Sequence, residues 1–187
     1  MKTLIFGIFA LLTVQANAQF TLFKTYDDYL NQTGTLYNGE IVKFKENKVE
    51  ILDNNVKTSY KFDDYWGFEY KGNLFRKDKY LLMVIVQGPF CYYENGLAHM
   101  EYLVNNIDPT FNESTRRCFI SKDLTTRPLL MIKKGPISED REELNQFKED
   151  NPQLKGYFEC IESADVNVYY LGGPTKTCAL EILEEWK

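Results

Sequence analysis

Two periods run along this chain, and the point where one gives way to the other divides it. From Glu40 onward apolar and polar residues alternate in twos, the spacing of strands with one buried face. After Gly135-Pro136 apolar residues return every three or four positions, the spacing of helices. Ahead of both, Leu22, Phe23, Tyr26, Tyr29 and Leu30 recur at helical spacing while Asp27 and Asp28 point away. Phe20 to Gln32 is therefore expected to form a short opening helix that Gly34 ends.

The period-two region reads as a series of hairpins. Ile41 to Glu46 and Val49 to Leu52 are expected to pair across Asn47-Lys48, with Phe44 facing Ile51 and Lys45 facing Glu50. Asp53-Asn54-Asn55 makes the next turn. Phe62–Tyr70 and Leu74–Arg76 form a second hairpin around Gly72-Asn73, which sets Tyr70 opposite Phe75 and Glu69 opposite Arg76. Tyr80 to Tyr93 reads as one long buried strand bent at Gly88-Pro89. Asn95-Gly96 is the strongest turn signal, because a type I′ turn needs positive φ angles that Asn and Gly tolerate. Leu97 to Val104 is then the returning strand, Asn105 to Thr115 a loop, and Arg117–Ser121 and Leu129–Lys133 two further short strands.

In the helical part Ser138 is a good N-cap, and Glu139, Asp140, Glu142 and Glu143 load the first turns with the charge that a helix dipole favours. Leu144 and Phe147 make its apolar stripe and Asn151-Pro152 stops it. Gln153 to Glu162 and Thr175 to Trp186 are two more helices, the last turning Cys178, Ile182, Leu183 and Trp186 to the core. Hairpin-joined strands followed by segregated helices imply an α+β fold. The expected architecture is an antiparallel sheet of about seven strands curled into a roll or half-barrel, with a short N-terminal helix and a helical C-terminal part.

The first residues change the picture of where this domain works. Lys2, the apolar run Leu4–Val14 and the small-x-small triplet Ala16-Asn17-Ala18 have the form of a secretory signal peptide, too short in its apolar part to span a bilayer. Residues 1–18 are thus expected to be a leader and 19–187 one α+β domain, with 19–135 mainly β and 136–187 mainly helical. Export implies periplasm, cell surface or medium, with no membrane span once the leader is gone. The net charge of −5 becomes −6 when Lys2 leaves with it. An acidic chain without a basic block argues against nucleic acid as a partner, since phosphate binding needs clustered Lys and Arg. Aromatic residues make up 15% of the chain, which suits a well-packed core.

Four cysteines, Cys91, Cys118, Cys160 and Cys178, in an exported chain suggest two disulfides. Of three possible pairings, Cys91–Cys118 and Cys160–Cys178 keep each bridge within one compositional half. One bridge plus two buried thiols is the alternative.

Candidate chemistry is sparse. His99 is the single histidine, so multi-histidine metal sites are excluded. In the expected hairpin Tyr92 lies opposite His99 and Cys91 opposite Met100, so Cys91 and His99 project to opposite faces and cannot share a proton. The same geometry gathers Tyr92, His99 and Glu101 into a polar patch. Trp66, in the segment Trp66-Gly67-Phe68, is the candidate aromatic platform for stacking a sugar, or else a core strand residue. Asp27-Asp28, Asp63-Asp64 and Glu139-Asp140 are adjacent carboxylates that diverge, and nothing assembles them into a catalytic pair. The stretch Asp108 to Glu113 lacks the Gly of a calcium loop, and there is no phosphate-binding Gly-rich loop. No catalytic residue, metal ligand or cofactor is assigned.

The segments Tyr26-Asp27-Asp28-Tyr29, Asp64 to Arg76 with its Trp-Gly-Phe core, Cys91 to His99 with Tyr-Tyr-Glu-Asn-Gly, and Ser121 to Leu124 resemble a group of uncharacterised exported proteins of Bacteroidetes-type bacteria. The resemblance implies bacterial export and no activity. Cys118 lies outside the shared pattern, which counts against the Cys91–Cys118 bridge. Three functional readings follow: an exported binding or envelope-associated protein whose partner is a protein, glycan or small molecule; a hydrolase with dispersed catalytic residues; and a small-molecule carrier with an aromatic-lined pocket.

Overall fold

The computed structural model describes residues 20–107, 117–131, 141–163 and 174–185. The expected leader, the loop around Pro109, the N-cap at Ser138 and the side chain of Trp186 lie outside them. The fold is α+β. An open eight-stranded antiparallel sheet carries a separate three-stranded sheet, and the helices follow at the C-terminal end.

The segment expected to form the opening helix begins as a strand. β1 (Phe20–Phe23) pairs on one side with β2 (Thr35–Tyr37) and on the other with β6 (Gly67–Tyr70). Helical spacing had joined two unlike pieces. The helix α1 is confined to Tyr26–Leu30, because Thr25 caps it: its hydroxyl accepts from the Asp28 N–H at 3.1 Å, and its own N–H donates to the Asp28 carboxylate at 2.8 Å. Residues ahead of a capping box are extended, and here neighbouring strands take up their backbone groups.

β3 (Glu40–Lys45), β4 (Lys48–Asp53) and β5 (Val56–Lys61) form the small sheet. Its first turn sits one residue earlier than expected, at Glu46-Asn47, and the register shifts at Val42. Phe44 therefore faces Val49 and Lys43 faces Glu50. Asn54-Asn55 turns as anticipated, with φ of 48° and 62°. β6 and β7 (Asn73–Lys77) turn at Lys71-Gly72, with φ of 49° and 73°. Phe68 thus faces Phe75, Glu69 faces Leu74 and Gly67 faces Arg76, which replaces the expected Tyr70–Phe75 and Glu69–Arg76 pairs. The Asn73 side chain makes this turn the favoured one by donating to the Lys71 carbonyl at 3.0 Å.

The long strand is in fact two, β8 (Leu81–Gln87) and β9 (Cys91–Asn95), folded back on each other at Gly88-Pro89. Nor is Asn95-Gly96 a hairpin turn. Asn95 has φ of −59° and accepts from the Leu97 N–H at 3.0 Å, as the N-cap of α2 (Gly96–Asn105). The stretch Leu97 to Val104 satisfies both periods, and packing chose the helical one. Leu97, Met100, Leu103 and Val104 meet the core from a single helix face. Gly96 is required there, since a Cβ would lie 2.9 Å from the Leu81 carbonyl oxygen. Beyond it, β10 (Cys118–Ser121) and β11 (Leu129–Leu130) complete the large sheet. α3 (Arg141–Asp150), α4 (Lys155–Ser163) and α5 (Pro174–Glu185) follow, close to the expected positions.

One face of the large sheet is covered in two lobes. At the β1–β6–β7 end, the small sheet and α2 enclose Phe20, Leu22, Phe62, Phe68, Phe75 and Met100. At the β9–β10 end, α3, α4 and α5 enclose Phe90, Tyr92, Ile120, Tyr157 and Ile182. Cys160 and Cys178 are joined there, linking α4 to α5 across a Cα–Cα distance of 5.8 Å. Among the described residues no helix is long and apolar enough to cross a membrane.

The Cys91–Cys118 bridge does not form. In the β9–β10 register Cys91 pairs with Ser121 and Cys118 with Glu94, and the two sulfurs occupy opposite faces of the sheet. Both remain buried thiols. Burial pushes the Cys91 thiol up to about 11. The native protein is therefore expected to give no fast reaction with a disulfide reagent at pH 8, and the unreduced, denatured chain to yield two thiols. Rapid native labelling at Cys91 would refute this assignment.

Candidate functional site

The second face of the large sheet holds the most distinctive chemistry. There α1 and the entrance to β6 bring three rings together. The Trp66 N–H donates to the carbonyls of Phe23 (3.0 Å) and Lys24 (3.2 Å), which ties Trp66 to the residues leading into α1. The Tyr29 and Trp66 rings stack with centroids 5.2 Å apart and planes 29° apart, and Tyr26 lies 5.2 Å from Trp66. Phe23, fully buried, meets Tyr29 edge-on at 5.4 Å. Tyr26, Tyr29 and Trp66 themselves are only half-buried. The Tyr29 hydroxyl reaches the Gln87 side-chain oxygen at 3.5 Å. Partial burial, and then the Glu69 charge, raise the Tyr29 phenol above its ordinary range.

On the same face lies a buried polar network. Arg76 is 5% exposed, and its Nη1 donates to the Tyr93 hydroxyl at 3.2 Å and to the Thr126 carbonyl at 2.8 Å. Tyr93 and Ser121 share a hydroxyl–hydroxyl bond of 2.8 Å, and Ser121 donates onward to the Asp123 carbonyl at 2.6 Å. The loop above is held by the Asp123 carboxylate, which accepts from the N–H groups of Thr125 and Thr126, both at 2.8 Å, and from both hydroxyls. Those bonds hold the Asp123 carboxyl well below its usual range, whereas burial raises the Tyr93 phenol.

The expected patch of Trp66, Tyr92, His99 and Glu101 is divided. Tyr92 and His99 come together, through a residue the sequence reasoning passed over. Glu94 accepts from the Tyr92 hydroxyl at 3.4 Å and meets His99 Nε2 at 2.6 Å. The His99 and Glu94 side chains are 18% and 14% exposed. The signal for Glu94 was present: it sits two residues beyond Tyr92 on one strand face, and an N-cap reading of Asn95 swings His99 back over it. Glu101, two positions along α2 from His99, does not face it. Trp66 is on the other face of the sheet. Cys91 and His99 do stand on opposite faces, but because His99 rides on a helix covering the Glu94 side, not because a hairpin opposes them.

A surface groove of about 280 Å³ runs between α3 and the Thr126–Leu129 segment, with the Arg127–Glu143 ion pair (2.6 Å) at its lip. Among the described residues no three His, Cys, Asp or Glu side chains converge to hold a metal ion. No protein-family model, curated protein or solved structure matches the chain.

Proposed function

We propose that this is a non-catalytic binding module of the exported compartment, and that the Tyr26–Tyr29–Trp66 platform stacks a sugar ring of a glycan. One observation carries the proposal: three half-buried rings are braced by backbone hydrogen bonds and a buried Phe23, with Gln87 and Glu69 beside them. Rigid aromatic area flanked by a few polar groups is the chemistry of a small-ligand site. Hydrolysis is less well supported, because the His99–Glu94 pair and the Arg76–Tyr93–Ser121 network occupy opposite faces and do not converge. A carrier needs an interior cavity, and among the described residues the core at the β1–β6–β7 end is packed with contacting rings such as Phe62, Phe68 and Phe75. The Cys160–Cys178 bridge is in keeping with an oxidising compartment.

The test is a panel of soluble oligosaccharides read by intrinsic tryptophan fluorescence and calorimetry. Trp66→Ala is expected to weaken the best ligand at least tenfold, about 1.4 kcal/mol, with an unchanged circular dichroism spectrum. A Trp66→Ala, Tyr29→Ala double variant that binds like the parent would overturn the proposal, as would a panel without any binder.

A further inference from the structure

Arg76 is the group that the platform does not explain. Its Nη1 is engaged by neutral oxygens only, and its Nε is buried with no hydrogen-bond partner. Among the described residues no carboxylate is ion-paired with it. The Tyr93 ring centroid lies 5.9 Å from the guanidinium carbon, which helps a cation but does not neutralise it. A buried charge without a counter-charge is costly, and a buried donor without an acceptor adds to that cost. The edge of a guanidinium formed by Nε and Nη2 is the fork that grips a carboxylate or sulfate with two parallel hydrogen bonds. In Arg76 that edge is the one the protein leaves unused.

Its position gives the fork a purpose. Arg76 stands directly across from Gly67, the neighbour of Trp66, so no side chain projects beside it from β6, while Leu82 of β8 lies on its other side. Leu74, Cys91 and Tyr93 share this face with Tyr26, Tyr29 and Trp66 in one apolar cluster. Cys91 and Tyr93, the latter bonded to Arg76, therefore link the platform to the Arg76 network through direct packing. The loop bonded through Thr126 closes one side of the guanidinium. A ligand ring stacked on Trp66 and Tyr29 would carry its substituent toward the other.

The geometry points to an acidic saccharide as the ligand class: a sugar ring on the Trp66–Tyr29 stack, with its carboxylate or sulfate on the unpartnered Nε–Nη2 edge of Arg76. This inference rests on the glycan-binding proposal and adds to it the charge of the ligand.

The experiment compares tetragalacturonate, its fully methyl-esterified form and a sulfated neutral tetrasaccharide by calorimetry on the unmodified protein at low salt. The acid is expected to bind at least tenfold more tightly than its ester, and Arg76→Gln to abolish that preference. The sulfated arm distinguishes the two sources of anion: tighter binding of the sulfated sugar than of the acid assigns the fork to sulfate. Equal affinity for acid and ester refutes an anion fork at Arg76 while leaving the platform standing. No binding of any sugar refutes the platform as well. An acid preference that survives Arg76→Gln undiminished assigns the anion to another cation and overturns the inference. If Arg76→Gln does not fold, Arg76→Lys, which keeps the charge but not the fork, replaces it, and the acid-to-ester ratio of the parent protein still decides.

Discussion

Phe75→Ala is expected to destabilise the protein by about 4 kcal/mol, among the largest effects of any single truncation. Phe75 is fully buried on β7, a strand paired on both sides. Its ring stacks on Phe68 at 4.7 Å with planes only 9° apart, and Phe68 in turn stacks on Phe62 at 5.0 Å. Phe62 opens the single 3-10 turn leading out of the small sheet, so this pile of rings binds the small sheet to the large one. Removing the buried Phe75 end of the pile leaves a cavity that β-strands cannot collapse around, because their spacing is set by the ladder. Denaturant unfolding checks the figure, with Leu36→Ala on the edge strand β2 as a control. Leu36 is 51% exposed, and its truncation should change stability by no more than about 0.5 kcal/mol. A Phe75→Ala loss below about 1.5 kcal/mol would mean that the two sheets are not held together by these rings.

Reduction of Cys160–Cys178 is the second large effect. The bridge spans 18 residues of sequence, for which loop-closure entropy alone amounts to about 3 kcal/mol. It also holds α5 to α4 at the site where Cys178 and Ala179 enter the core under Tyr157 and Ile161. A chain of this size loses roughly 2–4 °C of melting temperature per kcal/mol, so reductant should lower the midpoint by about 6–12 °C. Cys91 and Cys118, already thiols, contribute nothing to the difference. The double variant Cys160→Ala, Cys178→Ala should reproduce the reduced midpoint without reductant. Equal melting curves with and without reductant would refute a stabilising role for the bridge.

Most strands were legible because alternation is a local property. Ile41, Val49 and Ile51 face inward as their spacing demands, and Asn54-Asn55 turns because both residues accept a left-handed backbone. The C-terminal helices were legible for the same reason, since each depends on residues close in sequence. Register was less so. Gly72-Asn73 and Lys71-Gly72 compete as turn centres one residue apart, and a single step re-pairs a whole hairpin, as the exchange of Tyr70 for Phe68 opposite Phe75 shows. The candidate site was half legible. Trp66 was singled out as a platform residue and Tyr26 and Tyr29 only as helix-forming positions, while Arg76 was read only as a strand partner of Glu69 and Glu94 was not read as a site residue.

What the amino-acid order settled unaided was the class of fold and the positions of most strands and of the late helices, while it left the cysteine pairing open. These follow from side-chain size, polarity and turn preference over a few residues. What only the folded molecule decided was whether ambiguous segments became strand or helix, and which face each polar group joined. Phe20–Phe23 became a strand because β2 and β6 lay ready to bond it, and Leu97–Val104 became a helix because Met100 found a core to fill. Those outcomes turn on partners distant in sequence, and they set Trp66 and Arg76 on one side of the sheet and His99 on the other.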